Sequence, residues 1–139
     1  MVVDDEDHIR ELLASFLAGE GYKVILASNG KEAIDLAKRE DPQVILLDLT
    51  MPGTDGIEAC KRLKANNKTG LIPLIMMTGL SDRKAEAFEA RADDFVSKPF
   101  DLTDIKVRVK SLIRVGHLTD PAERVTAYLE ELEKNSLKQ

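Results

Sequence analysis

Val44-Ile45-Leu46-Leu47-Asp48-Leu49-Thr50-Met51-Pro52-Gly53 decides the architecture. Val44 to Leu47 is a continuous aliphatic run, the pattern of a central parallel strand covered on both faces, and it closes on a charged residue, Asp48. Met51-Pro52-Gly53 then marks a loop, and Ile57, Cys60 and Leu63 fall at the spacing of a helix after it. The same alternation continues in both directions. Upstream, Val2-Val3 is a short strand, Ile9, Leu12, Leu13, Phe16 and Leu17 form a helical stripe, and Tyr22 to Leu26 reads as a second strand. Asn29-Gly30-Lys31-Glu32 resembles a capping box that opens a helix running to about Glu40. Downstream, Leu71 to Met77 is expected as a fourth strand and Asp94 to Ser97 as a fifth. Ser81 would cap a helix between them whose inward residues include Ala85, Ala87 and Phe88, and Asp101 would cap a last helix bearing Ile105, Val109, Leu112 and Ile113. Strands joined by helical crossovers predict a doubly wound α/β sheet of five parallel strands.

The 139 residues leave room for one domain and a short appendage, with 43% apolar and 32% charged residues typical of a globular chain. The net charge of -5 comes without a basic stripe, which argues against direct binding to nucleic acid. A single cysteine, Cys60, and the lack of a leader or long apolar run point to a reducing cytoplasm and no membrane span.

In an open α/β sheet the working crevice lies beyond the carboxyl ends of the strands. Here those ends carry Asp4-Asp5, Asp48, Thr78 and Lys98. Three neighbouring carboxylates repel one another unless they are protonated or neutralised, and clustered hard oxygens suit a small divalent cation. Magnesium, which tolerates few protein carboxylates and shares phosphate oxygens, is the natural choice. Asp48 is placed to act as a nucleophile forming an aspartyl phosphate, with the Lys98 ammonium and the Thr78 hydroxyl stabilising phosphoryl oxygens beside an open Gly79. Singly, each residue has an ordinary explanation: a strand-end Asp can cap a helix, and a Lys is usually solvated. Their joint placement on one edge carries the argument.

Val2-Val3-Asp4-Asp5-Glu6, Leu46-Leu47-Asp48-Leu49-Thr50-Met51-Pro52 with Asp55-Gly56, Met77-Thr78-Gly79, and Asp93-Asp94-Phe95-Val96-Ser97-Lys98-Pro99-Phe100 together resemble the receiver domains of two-component response regulators. The resemblance covers Met1 to about Val115, so residues 1–115 are expected as the receiver and 116–139 as a helical extension or a link to an output domain. It implies a flavodoxin-like fold with strand order 2-1-3-4-5. It also implies a non-enzymatic switch that takes phosphate on Asp48 from a sensor histidine kinase or phosphotransfer protein and assists its own phosphorylation and dephosphorylation. By the same resemblance, magnesium is held by Asp5, Asp48 and the Thr50 backbone carbonyl, with Asp4 acting through water. Thr78 would move toward the phosphate, Lys98 would pair with it, and Phe95 would be the switch aromatic. The Lys98-Pro99 bond would be cis, and the output face would comprise the fourth helix, fifth strand and fifth helix. Two departures stand out: the first strand starts almost at Met1, and Arg91 replaces a glycine usual before Ala-Asp-Asp, which predicts a different helix end there. Thr50 and Leu80 are variable positions flanking the phosphate.

In the tail, Asp120 and Pro121 open another helix. Leu118, Ala122, Val125, Leu129 and Leu132 alternate spacings of four and three, a coiled-coil seam that Ser136 ends. Barely two heptads favour equally a homodimer through this helix and a helix folded onto its own domain. Three rivals differ in residues or in behaviour. A haloacid-dehalogenase-type phosphatase would want an aspartate at Thr50, and a flavodoxin-like binding domain would want a Ser/Thr/Gly-rich loop where Asp4-Asp5-Glu6-Asp7 stands. A degenerate receiver serving as a scaffold would take up no phosphate.

Overall fold

The aliphatic run at Val44 to Leu47 becomes the middle of the sheet in the computed structural model, which describes residues 1–51, 53–79 and 83–137, without the side chains of Thr54, Lys84 and Leu137. In chain order the elements are β1 (Val2–Val3), α1 (Asp7–Gly19), β2 (Leu26–Ala27), α2 (Gly30–Glu40), β3 (Ile45–Asp48), β4 (Thr50–Met51), β5 (Thr54–Asp55) and α3 (Gly56–Ala65). They continue with β6 (Leu74–Thr78), α4 (Lys84–Glu89), β7 (Asp94–Ser97), α5 (Leu102–Val115) and α6 (Pro121–Leu137). The main sheet has five strands in the order β2-β1-β3-β6-β7, all paired in parallel. β4 and β5 form a separate antiparallel pair directly after Asp48.

Because side chains alternate along a strand, β3 feeds both layers. Ile45 and Leu47 pack with Val3, Met76, Ile57, Cys60 and Leu63 toward α2 and α3, whereas Leu46 packs with Val2, Ile75, Leu13, Ile105 and Leu112 toward α1 and α5. All of these except Ile57 are at most 2% exposed, which is why the sequence shows no polar alternation here. Helix starts are set as expected: Asn29 accepts from the Glu32 N–H at 2.9 Å, and Asp101 accepts from that of Thr103 at 2.8 Å. A cap of this kind contributes about 1 kcal/mol.

Four details differ from the sequence reading. The strand expected over Tyr22 to Leu26 is only Leu26–Ala27, because β1 offers just Val2 and Val3 as partners and the ladder has nothing to pair with earlier. The strand expected from Leu71 starts instead at Leu74: the Ile72 N–H is taken by the Thr69 carbonyl, and Pro73 has no N–H to give. On α4, Ala87 faces the core as expected, but Ala85 is exposed and Phe88 is 62% exposed. This helix has six residues, and its inward line falls on Ala87 and Ala90, which rotates Phe88 away to stand edge-on to Phe95 at 4.6 Å. Arg91 does not change how α4 ends. It adopts the left-handed conformation itself, at φ 70°, with its N–H on the Phe88 carbonyl and that of Ala92 on the Ala87 carbonyl. This is the hydrogen-bond pattern a glycine would serve, kept at about 1–2 kcal/mol of steric cost. Pro52, Leu80 and the cap expected at Ser81 lie outside the described residues.

The tail helix α6 folds back along α5, with Asn135 reaching Ser111 and Glu131 facing Arg114, so the two run antiparallel. Its expected seam docks only in part: Leu118 and Leu132 pack against the core, whereas Ala122, Val125 and Leu129 do not. Arg124, Tyr128 and Asn135 are buried, while Val125 and Leu129 stand 59% and 60% exposed. None of the helices is long and apolar enough to cross a membrane among the described residues.

Candidate functional site

Parallel pairing puts the carboxyl ends of β1, β3, β6 and β7 side by side, and the polar residues of the sequence reading arrive there together. Asp4 follows β1, Asp48 ends β3, Thr78 ends β6 and Lys98 follows β7. Ligand oxygens of Asp4, Asp5 and Asp48 lie within 4.8 Å of one another, the one such acidic group among the described residues. Asp4 and Asp48 are buried, and Asp5 is the most open of the three.

Among the described residues, one side-chain cation, Lys98, reaches these carboxylates. Lys98 Nζ donates to Asp4 Oδ2 at 2.9 Å and sits 3.3 Å from Asp48 Oδ1. Asp4 Oδ1 also accepts from the Glu6 N–H at 3.0 Å, and its main-chain carbonyl accepts from Arg10 Nη1 at 2.6 Å. Asp48 accepts from the Thr50 N–H at 3.4 Å. Burial, and then the charge of Asp4, push the Asp48 carboxyl up to about 7 against the pull of Lys98 and the Thr50 N–H. Burial pulls the Lys98 ammonium down, but Asp4 and Asp48 outweigh it and leave its pKa above the ordinary value. The site thus has excess negative charge at neutral pH. Three hard oxygen donors crowded to this degree fit a small divalent cation, and the partly open Asp5 leaves room for its waters.

Thr78 is buried at the end of β6, and the exposed Thr50 lies in β4 directly after Asp48 and Leu49. Phe95 is half-buried between the core and Phe88, and the Lys98-Pro99 bond is cis. His8 is exposed beside Glu6 and His117 is exposed in the α5–α6 link, and neither belongs to the acidic group.

Two residues shape the site without having been singled out for a physical reason in the sequence. A Cβ on Gly56 would lie 2.3 Å from the Asp48 carbonyl oxygen and 2.6 Å from that of Leu49. The turn that presents Asp48 therefore packs directly on the start of α3, where the Gly56 N–H donates to Leu49. The Asp-Gly pair after the loop was a visible signal for this contact. Arg10, which braces the end of β1 through the Asp4 carbonyl, had no such signal. Across the site, Arg83 Nη2 bridges to both oxygens of Asp55 at 3.2 Å. A cavity of about 210 Å³ opens at the other end of the strands beside Met1, Tyr22 and Val44 and contains none of the strand-end acids.

A five-stranded parallel sheet with three acids, a threonine and a lysine on its carboxyl edge is the arrangement of a receiver. Residues 1–110 match the family model for the response regulator receiver domain, and the chain belongs to that family, the receivers of two-component signalling. It is 44% identical over 116 residues to the transcriptional regulatory protein ResD of Bacillus subtilis, which covers 82% of this chain and 47% of the relative. The chain therefore spans about half the length of the curated relatives it matches. A putative response regulator from Chloroflexus aurantiacus superposes with a TM-score of 0.77 at 36% identity, covering 81% of this chain and 94% of that one. The receiver domain of the sensor histidine kinase PA1611 from Pseudomonas aeruginosa superposes with a TM-score of 0.76 at 25% identity, covering 81% and 94%, and was solved with a magnesium ion in its active-site cleft.

Proposed function

We propose that this receiver is a phosphorylation switch in which Asp48 accepts a phosphoryl group from a sensor histidine kinase or phosphotransfer protein. The observation that carries the reading is the position of Asp48: a buried carboxylate at the end of the central strand, 3.3 Å from Lys98 and within one acidic group with Asp4 and Asp5. A carboxylate oxygen of Asp48 attacks the phosphorus, the P–N bond to the donor imidazole breaks, and the imidazole departs. Transfer of this kind depends chiefly on alignment and charge neutralisation, which Lys98 and the Thr78 hydroxyl supply to the phosphoryl oxygens. Asp5, Asp48 and the Thr50 backbone carbonyl would hold magnesium, with Asp4 acting through water. When bound, that ion offsets the charge shared by the carboxylates and the phosphoryl oxygens.

The reading makes the chain a switch, not an enzyme with a separate substrate, although the same residues assist gain and loss of its own phosphoryl group. Residues 1–115 would form the receiver and 116–139 an extension of it. Phe95, already against Phe88, is positioned to report the state of the site to an output face made of α4, β7 and α5. The exposed Val125 and Leu129 leave α6 available for a homodimer, and an unchanged oligomeric state after removal of residues 118–139 would withdraw that part. No direct contact with nucleic acid or membrane is part of the reading, and its setting is the cytoplasm. The test is phosphoryl uptake from acetyl phosphate by intact mass, with and without magnesium, on wild type and Asp48→Asn. Uptake that needs both magnesium and Asp48 is expected. Uptake by neither protein would favour a degenerate receiver acting through constitutive contacts.

A further inference from the structure

The helix α6 docks through polar groups more than through its apolar residues. Its apolar residues Val125 and Leu129 face water; Ala127 and Leu132 pack against the core only in part, and the residues it buries fully are Arg124, Tyr128 and Asn135. Tyr128 donates its hydroxyl hydrogen to Asp94, which also receives Arg108 of α5. Arg124 donates from Nη1 to the Leu71 carbonyl at 2.7 Å and holds Nη2 3.3 Å from Asp93, while Asn135 donates to Ser111 at 2.8 Å. Even so, Nε and Nη2 of Arg124 are buried without a hydrogen bond among the described residues. Buried ion pairs return little net stability once desolvation is counted, and the hydrophobic burial that Val125 and Leu129 could supply is left unused. A contact of this kind is specific but shallow, which is what a two-state element requires.

The grip point connects α6 to the phosphoacceptor. Asp94, the first residue of β7, is the acceptor shared by Tyr128 and Arg108, and Lys98 directly follows the last residue of the same strand. About 13 Å of extended chain separates the two. Lys98 is divided between Asp4 and Asp48, and a phosphoryl group on Asp48 would add a charge of about -1.5 to -2 beside it. That charge draws Lys98, and with it β7, toward the carboxyl edge.

We propose that α6 is a displaceable strap, docked by its polar face over β7 and α5 while Asp48 is unmodified and released as a unit when Asp48 carries phosphate. This rests on the reading of Asp48 as the phosphoacceptor. Release bares Asp93, Asp94 and Ser111, so the strap is an autoinhibitory contact over that surface. By linkage, whatever loosens α6 favours the phosphorylated state by the same factor.

Hydrogen exchange on the full chain, followed peptide by peptide with intact mass recorded on the same samples, tests this. With acetyl phosphate and magnesium, the fraction that gains phosphoryl mass should exchange residues 121–137 about tenfold faster than the unmodified protein, with α2 unchanged. Tyr128→Phe, which keeps the ring, and Arg124→Gln should each speed exchange of the same segment without phosphate while α1 to α3 stay protected. A phosphorylated chain whose α6 is as protected as before overturns the strap and leaves the phosphoacceptor reading standing. So does an α6 already unprotected in the unmodified wild type, or one that opens only together with the whole domain. Absence of phosphoryl mass removes both, and the mass record tells the two failures apart.

Discussion

Two acidic clusters sit at opposite ends of the parallel strands and are treated differently by their surroundings. At the carboxyl end, Asp4, Asp5 and Asp48 share one lysine, Lys98. At the amino end of β7, Asp93 and Asp94 meet Lys64, Arg124 and Arg108, with the Tyr128 hydroxyl and the N–H groups of Leu74 and Phe95 completing them. The second cluster is neutralised from within and ties α3, β7, α5 and α6 together. The first keeps three carboxylates around the single ammonium that reaches them among the described residues. A surplus of like charge at converging strand ends marks a site, whereas a matched set of charges marks a fastening.

Breaking the fastening should have the largest effect on stability. Asp94→Ala leaves Arg108 and Tyr128 without their common acceptor and is expected to cost about 2–3 kcal/mol, read as a shift in the urea midpoint. Gly56→Ala tests the scaffold of the site: its methyl would collide with the Asp48 and Leu49 carbonyls, and a loss of about 2 kcal/mol together with slower phosphoryl uptake is expected.

Relieving the site should have the opposite sign. The folded-state pKa of Asp48, about 7, lies above its ordinary value of 3.8, so the carboxyl favours the fold most below pH 4, and that contribution is lost as pH rises toward 7. Asp48→Asn should therefore match wild type near pH 4 and exceed it by about 1–3 kcal/mol near pH 7.5 in chelator. Equal stabilities at both pH values would deny that burial and the charge of Asp4 raise the Asp48 carboxyl. Magnesium should raise the melting temperature of wild type at neutral pH and do so far less in Asp48→Asn. The smallest effect belongs to the outer face of α6, where Leu129→Ser should change stability by less than about 0.5 kcal/mol because the side chain is already in water.

How much of this was legible in the sequence depended on the kind of signal. The sheet was legible because Ile45, Leu46 and Leu47 are buried on both faces and leave an unbroken apolar run. Asp4, Asp5, Asp48, Thr78 and Lys98 were legible as a group because parallel pairing brings strand ends together whatever the loops do. Strand limits were not, since the length of β2 is set by its two-residue partner and the start of β6 by Pro73 and the turn before it. The docking of α6 was read from apolar spacing, which pointed to Leu118, Ala122, Val125, Leu129 and Leu132, of which only Leu118 and Leu132 pack on the core. Its fully buried residues are Arg124, Tyr128 and Asn135, chosen by acceptors on Asp93, Asp94, Leu71 and Ser111 that are distant in sequence. Periodicity reports where hydrophobic burial is available, not where buried charges find partners.

The central claim is that phosphate resides on Asp48 and nowhere else. Treating the acetyl-phosphate-modified chain with borohydride reduces an aspartyl phosphate to homoserine, which tandem mass spectrometry can place in the sequence. The account predicts homoserine at position 48 alone. Conversion at Asp4 or Asp5, or label retained on His8 with none at 48, would contradict it.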